Sequence, residues 1–236
     1  MTALDSMSPL YEQVRRRLLA DITSGALPVG SFLPPEPDLC ERFGVSRVTL
    51  RRAVSELCAE GRLTRQQGRG TFVSPPKVRQ TLVSLSGFSE TMDGLGRPSR
   101  HRVLGRDDAP DAPEIAARLD AARLIRFERL LEVDDRPMTH EMLFFDAARF
   151  PGAATPVAAG GSFYAALAET AGLRPAGAER QIDVVFAAPR ERDLLGIAAT
   201  QPCYRIAKTV FAEDGTAIAL SLLLTPCNLV TFTLKS

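Results

Sequence analysis

Apolar positions along this chain recur with two different periods. From residue 10 to 22 the spacing is four: Leu10, Val14, Leu18 and Ile22 share one face, and Arg15, Arg16 and Arg17 lie off it. Pro9 and Gly25 bracket the run, which predicts an amphipathic helix. A Pro/Gly-rich connector over 26–35 follows, with Leu27, Phe32 and Leu33 expected to anchor it to a small core. Leu39 and Phe43 mark a short helix over 36–43 that turns at Gly44. Ser46 is the expected N-cap of the next helix, in which Leu50, Ala53, Val54 and Leu57 recur at i, i+3, i+4 and i+7. Past Gly61 the pattern turns extended. Residues 62–66 and 71–73 read as strands joined by Gln67-Gly68-Arg69-Gly70, whose glycines permit positive φ.

Ser74-Pro75-Pro76-Lys77 has no periodicity and reads as a stiff, extended linker. From residue 80 onward, short strands alternate with short helices. Strands are expected at 80–85, 103–106, 124–133, 138–145, 181–187, 204–212, 216–224 and 229–234, the last closing the sheet. Helices are expected at 88–95, 112–119, 162–171 and 189–195. Asp134-Asp135-Arg136-Pro137 and Glu213-Asp214-Gly215 have the chemistry of hairpin turns. Antiparallel strands with helices on one face define an α+β domain. The expected organisation is residues 1–73, a linker over 74–80, and a second domain over 81–236.

The chain's 236 residues suffice for two modest cores. A net charge of +1 excludes a polybasic protein that coats nucleic acid, so any such binding must come from a local cluster. Residues 1–73 hold ten arginines and no lysine against eight acids. The placement matters more than that small excess. Arg47 and Arg51 lie one turn apart at the start of the Ser46-capped helix, where a helix-turn-helix presents side chains to the DNA major groove. With the Gly-rich hairpin after it, the segment reads as a winged helix-turn-helix.

Cys40, Cys58, Cys203 and Cys227 form no CxxC pair, and two histidines, His101 and His140, do not make a His-rich metal site. The cysteines read as buried small hydrophobes in a reducing compartment. The N-terminus lacks the basic start and apolar run of a secretory leader, and the longest apolar run, 217–224, is too short for a bilayer. A cytoplasmic location with no membrane partner is expected.

The wording PLYEQ, GALPVGSFLP, GVSRVTLRRAV and GRGTFV resembles the DNA-binding domain of the GntR family of bacterial transcription regulators, across residues 9–73. The resemblance implies double-stranded operator DNA and a homodimer as partners. It implies contacts from Glu36, Ser46, Arg47, Thr49, Arg51 and Arg52, with Gln67, Gly68, Arg69 and Gly70 at the wing. Arg47 is the foremost expected base reader, and Gly68 approaches the minor groove. Relatives with Arg after the Glu use it on a base; Pro37 stands there, so an operator sequence does not carry over.

The second domain resembles the effector-binding UTRA module of the HutC branch, of chorismate-lyase-like fold. The resemblance rests on GFSETMDGLGRPSR, IRFERLLEVDDRPMTHEMLFFDAARFPG, GGSFYAALAETAGLRP and EDGTAIA. ARFPG and GSFYAAL are nearest in wording to regulators of phosphonate utilisation. The implied effector residues are Ser86, Phe88 and Ser89 in one loop, Arg129 and Glu141 on the central hairpin, and Ser162 and Tyr164 at a helix start. No cofactor is implied; the expected effector is a phosphonate, phosphosugar or carboxylate. Ser162 at a helix N-terminus favours an anion or simply caps the helix. Arg129 can fork onto an anion and Glu141 can accept an ammonium or hydroxyl, or the two can pair across the hairpin. His140, on the opposite strand face, is expected to be structural.

Relatives that bind sugar phosphates carry a second basic residue at the position of Leu131 and a glutamate at that of Ala219, so a more apolar cavity or a smaller effector is expected here. Those two losses also leave open a DNA-bound regulator with a degenerate cavity, controlled by a protein partner. A lyase-like enzyme is the remotest reading, because no GxSxG, HExxH, Walker or Rossmann signature is present.

Overall fold

The computed structural model describes residues 8–66, 70–74, 77–81 and 87–233. The chain divides into two compact units, Met1–Val78 and Arg79–Ser236.

In the first unit, α1 (Leu10–Ser24) ends at Gly25 in the left-handed conformation. Helix α2 (Glu36–Phe43) ends the same way at Gly44, and α3 (Arg47–Ala59) starts at Ser46, whose side chain accepts a hydrogen bond from the Thr49 backbone N–H. The stripe Leu50, Ala53, Val54 and Leu57 is buried against Val14, Leu18, Leu27 and Leu39. Leu10 is the exception to the predicted face and is exposed. Strands β1 (Leu63–Gln66) and β2 (Gly70–Val73) pair antiparallel, Leu63 opposite Val73, and form the wing. The connector adds an edge to it: the Leu33 N–H donates to the Thr71 carbonyl at 2.7 Å and the Val73 N–H to the Ser31 carbonyl at 2.9 Å. Phe32 is therefore not a core anchor. It is exposed, bridges Phe72 and meets that ring edge-on at 6.1 Å.

The expected linker begins and ends as ordered structure. Ser74 is buried, its N–H donates to the Arg62 carbonyl at 2.9 Å, and its hydroxyl shares a 2.8 Å hydrogen bond with Thr64. β3 (Val78–Thr81) then pairs with β10 (Val230–Thr233) in a two-stranded ladder. That corrects the expectation that the final strand closes the main sheet.

The second unit is built on a six-stranded antiparallel sheet. Its strands are β4 (Ser99–Asp107), β5 (Leu124–Val133), β6 (Arg136–Asp146), β7 (Gly177–Phe186), β8 (Pro202–Phe211) and β9 (Ala217–Pro226), in the order β4-β5-β6-β9-β8-β7. Asp134 and Asp135 both adopt positive φ and make the tight β5–β6 turn alone, so Arg136 and Pro137 belong to the strand.

Helices cover both faces, not one as expected. Because strand residues alternate, Ile125, Phe127, Phe145 and Ala219 share a face and pack under α6 (Ala154–Ala158) and α7 (Phe163–Ala171). Leu124, Phe144 and Leu220 point the other way and pack with Leu119 of α5 (Pro113–Leu119). Leu130 and Leu224 on that second face meet Leu195 of α8 (Pro189–Leu195). The last helix, α4 (Phe88–Asp93), lies by β4 and buries Met92.

Candidate functional site: the third helix and the sheet cavity

Two places in the fold collect chemistry. The first is the outward side of α3. The Arg51 guanidinium forks onto Glu36 of α2, its Nε 3.0 Å from both carboxylate oxygens. Arg65 on the wing strand donates to the Ser55 hydroxyl at 2.8 Å and fixes β1 to α3. The Arg52 guanidinium lies 3.7 Å from the centre of the Tyr11 ring and within 3.7 Å of Glu56. Ser46 and Thr49 share a 2.9 Å hydroxyl hydrogen bond. Arg47 makes no such contact with any described residue, which leaves its guanidinium available.

The second is a cavity of about 380 Å³ within the second unit. One face of the sheet is apolar where it passes under α7 and turns polar toward the other end, and the cavity opens at the change. Two rows of side chains form its floor. Cross-strand register aligns Arg129, Glu141, Leu223 and Ile206 in the first. Leu143, Ser221, Lys208 and Arg180 make the second, across β6, β9, β8 and β7. Phe88, Glu90 and Thr91 of α4, with Ser162, Phe163 and Tyr164 at the start of α7, add to the lining, as do Leu131, Thr139 and Thr225 on the sheet and Phe232 of β10. The two helix starts close tightly: a Cβ on Gly87 would sit 3.0 Å from the Tyr164 ring. The Gly160-Gly161 loop is as close on another side. Gly160 takes φ +86°, and a Cβ there would meet the His101 carbonyl oxygen at 2.7 Å.

The charged groups of the cavity differ in how they are held. Arg129 and Glu141 are both buried and form a two-nitrogen pair at 3.0 and 2.5 Å. The remaining Arg129 nitrogen reaches His101 Nδ1 at 3.3 Å and the Gly161 carbonyl at 3.4 Å. Burial alone would raise the Glu141 pKa, but the Arg129 charge and the Ser221 hydroxyl outweigh it and hold the group ionised. Burial and the neighbouring Arg129 lower the His101 pKa, which favours a neutral ring; its Nδ1 lies 3.3 Å from both the Arg129 guanidinium and the Gly161 carbonyl oxygen, and its Nε2 lies 3.1 Å from the Ser89 hydroxyl.

Lys208 is held otherwise. Its ammonium faces the Tyr164 ring, 5.1 Å from the centre, and has no carboxylate partner among the described residues. Burial, reinforced by Arg180 and opposed by Glu141, brings its pKa down to about 8.

The gntR family model of bacterial regulatory proteins matches residues 10–73, and the UTRA domain model matches residues 94–228. An uncharacterized HTH-type transcriptional regulator of Bacillus subtilis, YurK, is 35% identical over 98% of this chain and 97% of its own length. The chain belongs to the GntR family. This GntR-family regulator is also 30% identical, over its full length and 99% of the relative's, to a probable fructoselysine utilization operon transcriptional repressor of Escherichia coli. Among solved structures, PhnF from Mycobacterium smegmatis matches with a TM-score of 0.66 and 27% identity, over 94% of this chain and 98% of that one.

The fold brings together most of the residues expected to act in this GntR-family protein and separates a few. Phe88, Arg129, Glu141, Ser162 and Tyr164 all line the cavity. Ser89 does not; it stands behind His101. Ser162 caps α7, accepting from the Ala165 N–H at 3.4 Å, and also faces the cavity. His140 is on the other sheet face, 2.7 Å from Glu128. Leu131 lines the cavity, whereas Ala219 is buried in the core under α7. Glu36 holds Arg51, Arg52 is committed to Tyr11 and Glu56, and Gly70 starts β2 with φ +112°. Gln67, Gly68, Arg69 and Ser86 lie outside the described residues. Sequence reasoning missed Lys208, Arg180, His101 and Ser221. Cross-strand register connects Ser221, Lys208 and Arg180, and His101 joins them through Arg129; no local pattern carries either.

Proposed function

We propose that this GntR-family transcription regulator represses an operon by binding a pseudo-palindromic operator as a homodimer, through α3 and the wing, and that a small anionic metabolite in the sheet cavity alters its hold on DNA. We read it as a cytoplasmic binding protein with no catalytic role. Operator contacts come first from Arg47, supported by Ser46, Thr49 and Arg51, with Glu36 orienting Arg51 and the wing segment Gln67-Gly68-Arg69-Gly70 beside the minor groove. Repression is supported by the similarity to the Escherichia coli relative, a probable transcriptional repressor.

The observation that carries the effector reading is Lys208, a semi-buried ammonium with no described carboxylate partner, in a cavity whose first cation, Arg129, is already neutralised by Glu141. An anion placed against Lys208 and Arg180 gains charge-assisted hydrogen bonds in a partly desolvated site. Glu141 and Ser221 then face the neutral or cationic end of the same molecule, and Leu131, Leu223 and Ile206 its carbon skeleton. This chemistry fits a phosphonate, phosphosugar or carboxylate.

The test is a thermal-shift screen of the full-length protein against phosphonates, phosphosugars, carboxylates, amino acids and imidazole metabolites. An anionic hit is expected to stabilise wild type and to lose most of its shift in Lys208→Met, because a ligand stabilises only by binding the native state. Its affinity is expected to fall as pH rises through about 8, where free Lys208 gives up its proton. Burial, Arg180 and Glu141 set that titration, and Arg129, His101, Glu90 and Tyr164 line the same cavity. A hit retained in Lys208→Met, or hits only among uncharged and cationic compounds, would overturn the anionic reading.

A further inference from the structure

The outward side of α3 carries an apolar residue where a solvated helix would not place one. Val48 is 79% exposed, the most exposed large hydrophobic residue described in the chain. Scattered apolar residues on a surface are ordinary, so its position must carry the argument. At 3.6 residues per turn, Val48 lies about 160° around the helix from Leu50, opposite the buried stripe. It is the second residue of α3, within the turn that a helix-turn-helix presents to base edges.

Its neighbours sharpen the point. Arg51 and Arg52, three and four residues on, flank Val48 on the helix surface, and both are drawn sideways, Arg51 to Glu36 and Arg52 to Tyr11 and Glu56. The centre of the outward face is left to Val48, with Arg47 beside it in sequence. Valine gains nothing locally: as a β-branched residue it is a weaker helix former than alanine or arginine. In the major groove it has a natural counterpart. Thymine alone presents a methyl group there, and apolar side chains read it by contact.

We infer that Val48 is a specificity-determining residue that packs against the C5-methyl group of a thymine in each operator half-site, next to the base pair addressed by Arg47. The inference rests on α3 being the groove-facing helix of the proposed function.

Selection of bound duplexes from a random pool, with the full-length protein, supplies the operator. Each thymine of a half-site is then replaced in turn by uracil, which removes only the methyl group, and binding is measured for wild type and for Val48→Ala. The substitution is at an exposed position where alanine is the better helix former, so folding is retained. At one thymine per half-site, uracil is expected to weaken wild-type binding about 3- to 10-fold, the scale of losing one buried methyl contact, and to leave Val48→Ala binding unchanged. Equal losses in both proteins, no thymine sensitive to uracil, or selected half-sites without a shared thymine would overturn the inference. Failure to enrich any sequence is a different result: it would overturn the groove-helix reading beneath it.

Discussion

Arg129 looks at first like the residue with which an anion should be tested, yet its geometry argues against using it that way. The guanidinium is 4% exposed and spends two nitrogens on Glu141 and the third on His101 and Gly161. Removing one partner of a buried pair leaves an uncompensated charge, which costs about 3–5 kcal/mol, whereas replacing both by apolar groups is often neutral. Arg129→Leu is therefore expected to lower the stability of the second unit by about that amount in urea unfolding, and Arg129→Leu/Glu141→Leu to recover most of it. If the single variant unfolds like wild type, the pair is not structural and Arg129 returns as a primary effector ligand. Loss of effector response in Arg129→Ala would by itself say little. Lys208 is the cleaner probe because no ion pair among the described residues depends on it, only its contact with the Tyr164 ring.

At the scale of elements, what was legible follows from how local the determining forces are. The first unit was readable nearly residue by residue because each helix carries its own signals. Gly25 and Gly44 close α1 and α2 in left-handed conformation, and Ser46 caps α3 through the Thr49 N–H. In the second unit the strands were readable as strands, but their order and faces were not. The near-continuous burial of β5 and β6 is the signature of strands covered on both sides. Reading alternation alone put the helices on one face. Helix α6, five residues of Ala-Thr-Pro-Val-Ala, has no period to detect. Lys208 and Arg180 face each other only through the β7–β8 register, and β10 leaves the main sheet for β3 by long-range pairing. The Ser46 cap allows an element-level test. Ser46→Ala is expected to cost about 1 kcal/mol in urea unfolding. Ser46→Asp keeps both the cap and a favourable charge at the helix start, so its stability stays near wild type while operator binding weakens against phosphate. Operator binding by Ser46→Asp at wild-type strength would place this turn away from the DNA backbone.

For the whole molecule, function requires that the cavity and α3 share a free energy. The chain offers a short covalent route: residues 75–77 alone separate Ser74, fixed to the wing strand through Arg62 and Thr64, from β3, which is paired with β10. Phe232 of β10 lines the cavity and meets the Tyr204 ring edge-on at 5.1 Å. A ligand that reached Phe232 would touch the ladder that follows residues 75–77 in the chain. The magnitude of the coupling is open to measurement and its symmetry is fixed by thermodynamics. If the effector changes operator affinity by a given factor, the operator must change effector affinity by the same factor, commonly about 5- to 150-fold. Operator affinity measured with and without saturating effector, and effector affinity with and without saturating operator, are expected to give one ratio. Lys208→Met should bring that ratio toward one and leave effector-free operator affinity unchanged, because Lys208 lies in the cavity and not on α3. A wild-type ratio of one, with both ligands bound, would show that the cavity binds a metabolite without governing the DNA, and control would then have to enter through another surface.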